Sequence, residues 1–353
     1  MNPPKKESMK LFRKQVILPM LMVLSIIMGD LGCKSESNRI MTVSGPIQAE
    51  DMGVTLEHEH ILVDFIGADS TGYHRWERDK VAKSVLPYLK EAKEKGMETM
   101  LECTPAYLGR DPLLLKDLSQ TTNIHILTNT GYYGAVDNKF LPGHAFEESA
   151  DQLAERWIDE WENGIENTGI KPGFIKISVD PDSTLSELHE KLVRAAARTH
   201  LATGLTIASH TGPEAPAFAQ MNILKEEGVS PEAFIWVHAQ NGTPQAHIKA
   251  VEKGAWVSLD GVNPKEKEIQ DYVKMLSNLK DNDLLHRTLI SHDAGWYSPG
   301  EPEGGNFRPY TAIFDELVPA LKKNGFTEED INLLLETNPG NAFEIDIKKS
   351  KKR

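Results

Sequence analysis

Short runs of β-branched and aliphatic residues alternate along most of the chain with longer amphipathic stretches. Each apolar run is followed by a polar or glycine-containing turn, a pattern typical of strands that lead into helices. The pattern predicts eight strands, at residues 54–60, 98–104, 124–130, 173–178, 205–210, 233–238, 256–260 and 288–293. It predicts helices over 79–95, 147–168, 184–203, 244–253 and 265–279, with 310–324 and 328–337 closing the chain.

Strict alternation of strands and helices over about 250 residues is typical of one (β/α)8 TIM barrel. No break in composition indicates a linker, so residues 34–345 are predicted to form a single barrel domain. A doubly wound open sheet is the alternative architecture. Such a sheet usually carries a glycine-rich phosphate-binding turn after its first strand, whereas the turn here is His58-Glu59-His60.

The charge balance excludes one class of partner. The chain has 353 residues with 52 acidic and 39 basic side chains, a net charge of −13, and nucleic-acid binding requires a concentrated positive face. The basic run Lys348 to Arg353, in the tail 346–353, is expected to be a solvated, frayed terminus. Two cysteines are too few for a disulfide framework, and Cys103, within an apolar run, is predicted to be a small buried side chain.

The first 33 residues have the order of a signal peptide. A basic segment, Lys10 to Lys14, precedes an apolar run of about 13 residues, which is shorter than the roughly 20 needed to span a bilayer. Leu31-Gly32-Cys33 resembles the end of a bacterial lipoprotein signal, in which the cysteine becomes lipidated, although Asp30 departs from that pattern. We therefore predict export in a bacterium, as a lipoprotein anchored through Cys33 or as a released periplasmic protein.

Side chains suited to metal binding follow several predicted strands. His58 and His60 lie at i and i+2 at the end of the first strand, so both imidazoles can face the barrel mouth and chelate one ion. Three further candidates end the fifth, sixth and eighth strands, where the loops of such a barrel build its site: His210, His238 and Asp293.

Lys176 lies inside the apolar strand Gly173-Phe174-Ile175-Lys176-Ile177. A buried ammonium is strongly disfavoured unless something neutralises it. Two explanations stay open: the lysine pairs with a nearby carboxylate, or it reacts with carbon dioxide to form an anionic carbamate that can bridge two metal ions.

These residues resemble the phosphotriesterase-like branch of the amidohydrolase superfamily, over nearly all of Thr42 to Ile345. The resemblance implies two divalent ions per chain, with zinc expected from the imidazole and carboxylate ligands. It implies that Lys176, as N6-carboxylysine, bridges the ions together with a hydroxide, and that Asp293 accepts the proton of the attacking hydroxide. The buried ion would be held by His58, His60 and Asp293, and the exposed ion by His210 and His238.

The seventh strand departs from the family pattern. Phosphotriesterases proper have a histidine after its aspartate and the lactonase-like members an arginine, whereas this chain has Asp260-Gly261, so Asp260 is expected to lack its usual partner. By resemblance Tyr133 lies near the substrate carbonyl, and Trp296 lies in a long loop after strand eight that typically shapes a pocket. Both are candidate substrate contacts.

The predicted function is hydrolysis of a small ester or lactone, or of a phosphoester, by a metal-bridging hydroxide. An alternative keeps the same site for N-acyl or sugar-lactone compounds. A third reading is a catalytically silent binding lipoprotein, since a fold alone does not fix function. Relatives of this type are often dimers, so a homodimer is also expected.

Overall fold

The computed structural model describes residues 1–4 and 39–350. The chain divides into two compact units, Met1–Ser35 and Glu36–Arg353, and the barrel described below belongs to the second. The predicted signal peptide and Cys33 lie outside the described residues. Among the residues that are described, no helix has the length and apolar character needed to cross a membrane.

The strands begin with an antiparallel hairpin and continue with the barrel. The hairpin consists of β1 (Arg39–Thr42) and β2 (Gly45–Gln48). The barrel strands are β3 (Thr55–Glu59), β4 (Thr99–Glu102), β5 (His125–Leu127), β6 (Asn129–Thr130), β7 (Phe174–Ser178), β8 (Ile207–His210), β9 (Phe234–Val237), β10 (Trp256–Leu259) and β11 (Thr288–Ile290). β5 and β6 together occupy the predicted third strand, interrupted at Thr128, so each of the eight predicted strands is present.

The strands pair in sequence order and in parallel. One ladder joins β3, β4 and β5, and a second joins β6 through β11. The ring closes where β11 returns to β3: Asp293 N donates to His58 O over 3.0 Å and His60 N donates to Ala294 O over 2.9 Å. The predicted (β/α)8 barrel is confirmed.

The helices lie between the barrel strands and after the last of them. They are α1 (Arg78–Glu94), α2 (Pro112–Thr122), α3 (Gly143–Glu147), α4 (Ala150–Asn163), α5 (Glu187–Thr203), α6 (Glu214–Glu226), α7 (Pro244–Glu252), α8 (Glu266–Asp281), α9 (Val318–Lys323), α10 (Glu328–Asn332) and α11 (Asn338–Phe343). Wide π turns at Ile313–Leu317 and Leu333–Thr337 lead into α9 and α11. Short 3₁₀ turns lie at Ala49–Asp51, Tyr73–Arg75, Ile165–Asn167, Pro231–Ala233, Ala239–Asn241, Leu285–Arg287 and Pro302–Gly304.

Local chemistry explains where helix boundaries differ from those predicted. α4 starts at Ala150, three residues later than expected, because Ser149 and Gln152 form a capping box. It ends before Gly164, whose φ of +90° no helix accommodates. α2 and α6 were not among the predicted helices. α6 has only a weak amphipathic period, because small and apolar residues such as Ala215, Ala217 and Phe218 fill its first turns.

Apolar side chains fill the barrel interior towards the amino-terminal ends of its strands. A buried cluster inside the strands contains Leu101, Cys103 and Leu127, and it continues downward to Ile40 of the hairpin and Phe343 of α11. Cys103 is 2% exposed, as predicted for a small buried side chain. Because the hairpin and α11 cover the amino-terminal ends of the strands, the polar side chains collect at the opposite, carboxyl-terminal end.

The fraying expected of the C-terminus is wrong for the residues that the structure describes, although Lys349 is exposed as expected. Lys348 N donates to His200 Nε2 over 2.9 Å, and Ser350 N donates to Gly228 O over 2.8 Å. Ser230 N in turn donates to Lys348 O over 2.8 Å, so the backbone pairs alongside residues 228–230. We call residues 346–350 the C-terminal strap. Its peptide groups find partners on the barrel, which satisfies backbone groups that would otherwise need water.

Candidate metal centre

The two histidines of the first barrel strand converge on the aspartate that follows the last one. His58 and His60 are 2% and 8% exposed. Their Nε2 atoms lie 3.7 Å and 3.0 Å, respectively, from Oδ1 of Asp293. The closure of β3 against β11 brings the three side chains together, and their ligand atoms form a group compact enough to hold one ion.

Lys176 lies beside this group, on β7. Its side chain is almost fully buried at 1% exposure, and Nζ lies 3.3 Å from Nε2 of His58. Among the described residues, no carboxylate oxygen lies within 4.0 Å of Nζ. The described residues therefore offer no ion pair for this lysine, which is what the explanation of a lysine paired with a carboxylate requires.

His210 and His238 complete the cluster. Nε2 of His238 lies 2.7 Å from Nδ1 of His210, and the His238 ring stacks on that of His58 with centroids 5.1 Å apart. The structure thus gathers the six predicted ligands into one continuous group of contacts: His58, His60, Lys176, His210, His238 and Asp293.

Asp260 orients two of these histidines at once. Oδ2 accepts a hydrogen bond from Nδ1 of His58 over 3.0 Å, and Oδ1 accepts one from Nδ1 of His238 over 2.7 Å. Each ring therefore carries its proton on Nδ1 and keeps the Nε2 lone pair for a cation. The nitrogen and oxygen atoms of His58, His238 and Asp260 also lie close enough together to hold a cation. Because the Nδ1 atoms of that group already donate to Asp260, we assign it as an orienting network.

Asp260 lacks the family's usual partner at residue 261, but it has other partners. Besides the two histidines, Gln240 Nε2 donates to Oδ1 over 3.1 Å. Gly261 makes room for this amide: a Cβ at that position would lie 2.8 Å from Gln240 Nε2 and 2.8 Å from the Tyr272 hydroxyl. Glycine thus replaces the family's larger residue because Gln240 and Tyr272 fill the space that its side chain would need.

His60 has its own orienting pair. Thr104 Oγ1 donates to Glu102 Oε1 over 2.6 Å, so it can only accept from Nδ1 of His60, which lies 2.8 Å away. The Nε2 atom of His60 is again left free. Neither Glu102 nor Thr104 was singled out from the sequence. The available signal was a carboxylate inside the otherwise apolar second strand.

Burial acts on both outer histidines with different results. It lowers the pKa of His210, whereas at His238 the charge of Asp260 outweighs burial and raises the pKa of the imidazole. Burial lowers the pKa of His58 to about 4. Burial opposes ionisation of Asp293, but the hydrogen bond to His60 and the neighbouring imidazoles outweigh it and lower the pKa of that carboxyl. Burial raises the pKa of Glu57 to about 8. A protonated Glu57 can donate to Ser258 Oγ, which leaves the serine proton for Asp260.

The carboxylate of Glu59 joins the end of β3 to the residues that follow β11. Glu59 Oε1 accepts from Nδ1 of His292 over 2.6 Å, and Oε2 accepts from Ala294 N over 2.9 Å. His292 Nε2 accepts from Ile313 N over 2.9 Å, so its ring faces the helices, as the alternation of the strand predicts. Arg308 donates to the carbonyl oxygen of Asp293 over 2.8 Å and ties the following loop to the same strand end.

A cavity of about 240 Å³ opens over the cluster. Tyr133 and Trp296, the two candidate substrate contacts, both line it. The Tyr133 hydroxyl lies 3.1 Å from Nδ1 of His210, and burial raises the pKa of this phenol, so it stays a hydrogen-bond donor. The complete lining is His60, Val63, Phe65, Leu108, Tyr133, Val136, Lys139, Phe140, His210, Asp293 and Trp296. A larger cavity of about 360 Å³ beside Arg110 contains none of the six ligand candidates.

Four histidines, a buried lysine and an aspartate at the carboxyl-terminal mouth of a (β/α)8 barrel form a donor set typical of metal-dependent hydrolases. The model of the phosphotriesterase family matches residues 38–343, and the chain belongs to that family. Enzymes of this family carry binuclear metal centres, and the donor set found here fits one.

Relatives with several activities match most of the chain. It is 29% identical over 315 residues to the aryldialkylphosphatase of Saccharolobus solfataricus, which covers 84% of this chain and 96% of that protein. It is 23% identical over 369 residues to the N-acetyltaurine hydrolase of Dictyostelium discoideum, which covers 87% and 98%. The organophosphorus hydrolase of Deinococcus radiodurans superimposes with a TM-score of 0.77 at 25% identity and covers 88% and 98%. The chain is a hydrolase of this family.

Proposed function

We propose that the protein hydrolyses a small carboxylic ester or lactone. The observation that carries the proposal is the cavity of about 240 Å³, in which apolar walls end on three groups suited to carbonyl chemistry: His210, Asp293 and Tyr133. An apolar wall excludes water and strengthens the electrostatic effect of the few polar groups that face the substrate.

We further propose two divalent ions, most simply zinc, with Lys176 as a carbamate between them. The donor set supports this, since four imidazoles and a carboxylate converge and no carboxylate oxygen of the described residues lies within 4.0 Å of the buried amine. When bound, such ions lower the pKa of a water molecule towards neutrality and polarise the carbonyl or phosphoryl oxygen of a substrate.

The side chains of this chain divide the remaining work. Asp293 faces the cavity with an ionised carboxylate, so it can accept the proton that the attacking water gives up. The Tyr133 hydroxyl can donate to the substrate oxygen that gains negative charge. Asp260 and Thr104 hold the imidazoles in one tautomer, which keeps the ligand atoms in place during turnover.

Two other substrate classes are also candidates, because relatives are named for activity on them. The Dictyostelium relative, an N-acetyltaurine hydrolase, favours an N-acyl substrate. The Saccharolobus relative, an aryldialkylphosphatase, favours a phosphotriester. The silent binding protein is disfavoured, since it would have no need to keep six ligand-type side chains with their orienting partners.

Metal analysis and a substrate panel test the proposal together. We expect close to two divalent ions per chain after mild purification, and loss of metal and activity in Lys176→Ala. The panel should compare lactones, aryl esters, N-acyl compounds and an aryl dialkyl phosphate by kcat/KM. Less than about one ion per chain, with no loss on Lys176→Ala, would contradict the metalloenzyme. A metal-loaded protein that turns over no ester or lactone would contradict the substrate class alone.

A further inference from the structure

The loop after β6 holds a conformation that L-amino acids avoid. Three successive non-glycine residues, Val136, Asp137 and Asn138, have φ values of +62°, +53° and +62°. The left-handed region is sparsely occupied by such residues, and a β-branched valine is an outlier there. We call residues 134–140 the mouth turn, because Val136, Lys139 and Phe140 from this turn line the cavity over the metal ligands.

Contacts from two neighbouring elements hold the mouth turn in this shape. Asp180 Oδ1 accepts from Val136 N over 2.7 Å, and Ser178 Oγ accepts from Ala135 N over 2.8 Å. On α5, His189 Nε2 donates to Gly134 O at 3.0 Å and lies 3.1 Å from Asn138 Oδ1. Strained backbone that the surroundings fix so thoroughly is typical of ligand clamps.

Lys139 of the mouth turn has no role in the metal centre or in the proposed reaction. Among the described residues that line the cavity, it is the one lysine or arginine. Its Nζ donates to Phe65 O over 2.6 Å and lies 5.3 Å from the centroid of the Phe140 ring. No carboxylate oxygen of the described chain lies within 4.0 Å of it. The exposed ammonium therefore lies at an apolar rim with N–H donors to spare.

We propose that Lys139 binds an anionic group, a carboxylate or a comparable monoanion, at the end of the substrate remote from the scissile bond. This inference rests on the proposed hydrolase function and narrows it, from small esters in general to acyl compounds with an anionic tail. The reacting carbonyl lies over the metal ligands, the acyl chain lies along the apolar wall, and the tail reaches the rim.

Two chromogenic esters that differ in tail charge test the proposal. Mono-4-nitrophenyl glutarate and 4-nitrophenyl pentanoate share a leaving group and have acyl chains of similar length. For the metal-loaded wild-type enzyme we expect kcat/KM to favour the glutarate by about five- to tenfold, the effect of one partly exposed charge-assisted hydrogen bond. Lys139→Met should abolish that preference through a higher KM for the glutarate, with the pentanoate changed less than about twofold.

Matched variants separate recognition from structure. Lys139→Arg should keep most of the preference, and Lys83→Met, which removes an exposed lysine from α1, should leave both esters unchanged. Equal losses for both esters in Lys139→Met would show that the lysine only supports the loop and would overturn the inference. A wild-type enzyme that hydrolyses both esters without preference would also overturn it, while the hydrolase proposal would stand. No turnover of either ester would count against the proposed ester substrates themselves, and the inference would fall with them.

Discussion

Oδ1 of Asp260 accepts a hydrogen bond from Nδ1 of His238 over 2.7 Å, while the other oxygen of the same carboxylate serves His58. These two histidines are assigned to different metal ions, so one buried side chain fixes a ligand of each. Asp260 is 0% exposed and sits below both rings. A substitution of Asp260 should therefore weaken the binding of both proposed ions, whereas the loss of one imidazole should weaken the binding of one.

Asp260→Asn is expected to weaken metal binding by about 10- to 100-fold, the usual cost of losing a partner that orients a ligand. The amide would present an N–H₂ group to one imidazole, which would have to change tautomer or rotate. Metal content after dialysis against a weak chelator measures the effect. Asp111→Asn is the matched control, because Asp111 is another buried aspartate but caps α2 instead. Two ions retained in Asp260→Asn would contradict the assigned role.

The sequence was sufficient to predict the barrel and the six ligand candidates because both depend on periodic patterns. A buried parallel strand reads as a short apolar run, and polar side chains at its end stand out against it. His238 illustrates this: it follows Phe234-Ile235-Trp236-Val237, all fully or almost fully buried.

The partners of those ligands could not be predicted, because they depend on three-dimensional neighbours without a fixed spacing. Gln240 reaches Asp260 only because β9 and β10 are adjacent and Gly261 leaves space. The C-terminal strap was misjudged for a similar reason: its lysines indicate exposure, whereas its backbone pairs with residues 228–230. Hydrogen bonds made by the backbone leave almost no trace in side-chain pattern.

Tyr133→Phe should lower kcat/KM by about 10- to 100-fold without loss of metal, because the phenol donates to the substrate oxygen that gains charge. The matched control is the preceding residue. Tyr132 points to the other side of the strand end, where its hydroxyl lies 3.0 Å from His144 Nε2. Tyr132→Phe should change kcat/KM little, so steady-state kinetics of the two variants check the assignment. Equal effects would indicate a role in packing.

Gly295→Ala should cause the protein to lose bound metal. Gly295 has φ +95°, and a Cβ there would lie 1.8 Å from the carbonyl oxygen of His60 and 2.5 Å from the Tyr310 hydroxyl. Gly300→Ala separates the cost of backbone strain from the cost of a steric clash. Gly300 has a similar φ of +90°, but its Cβ would lie at an ordinary 3.5 Å from Arg75. We expect Gly300→Ala to cost about 1 kcal/mol of stability and keep both ions. Gly295→Ala should cost more and lose metal, as measured by urea unfolding and metal analysis.

His200 is expected to make stability depend on pH. Burial lowers the pKa of this imidazole, whose Nδ1 donates to Leu205 O over 2.9 Å and whose Nε2 accepts from Lys348 N over 2.9 Å. Nearby charges act in opposite senses, Lys348 lowering the pKa and Asp346 raising it. Because the folded chain resists protonation, the unfolded chain binds the proton first as the pH falls below about 6.5. Stability is then lost progressively down to the folded pKa, and above 6.5 the group has no effect.

His200→Gln tests this sign. The free energy of unfolding should fall less steeply between pH 6.5 and 5 than in the wild type, by up to about 1.4 kcal/mol per pH unit, and the two curves should be parallel above pH 7. Loss of metal at acid pH lowers both curves alike, so the difference between them isolates His200. His286→Gln, at an exposed position, should reproduce the wild-type slope. Hydrogen exchange of the strap amides should also quicken in acid for the wild type, because protonation of Nε2 removes the acceptor of Lys348 N. If the curves of wild type and His200→Gln are parallel throughout, the proton is not linked to folding at this residue.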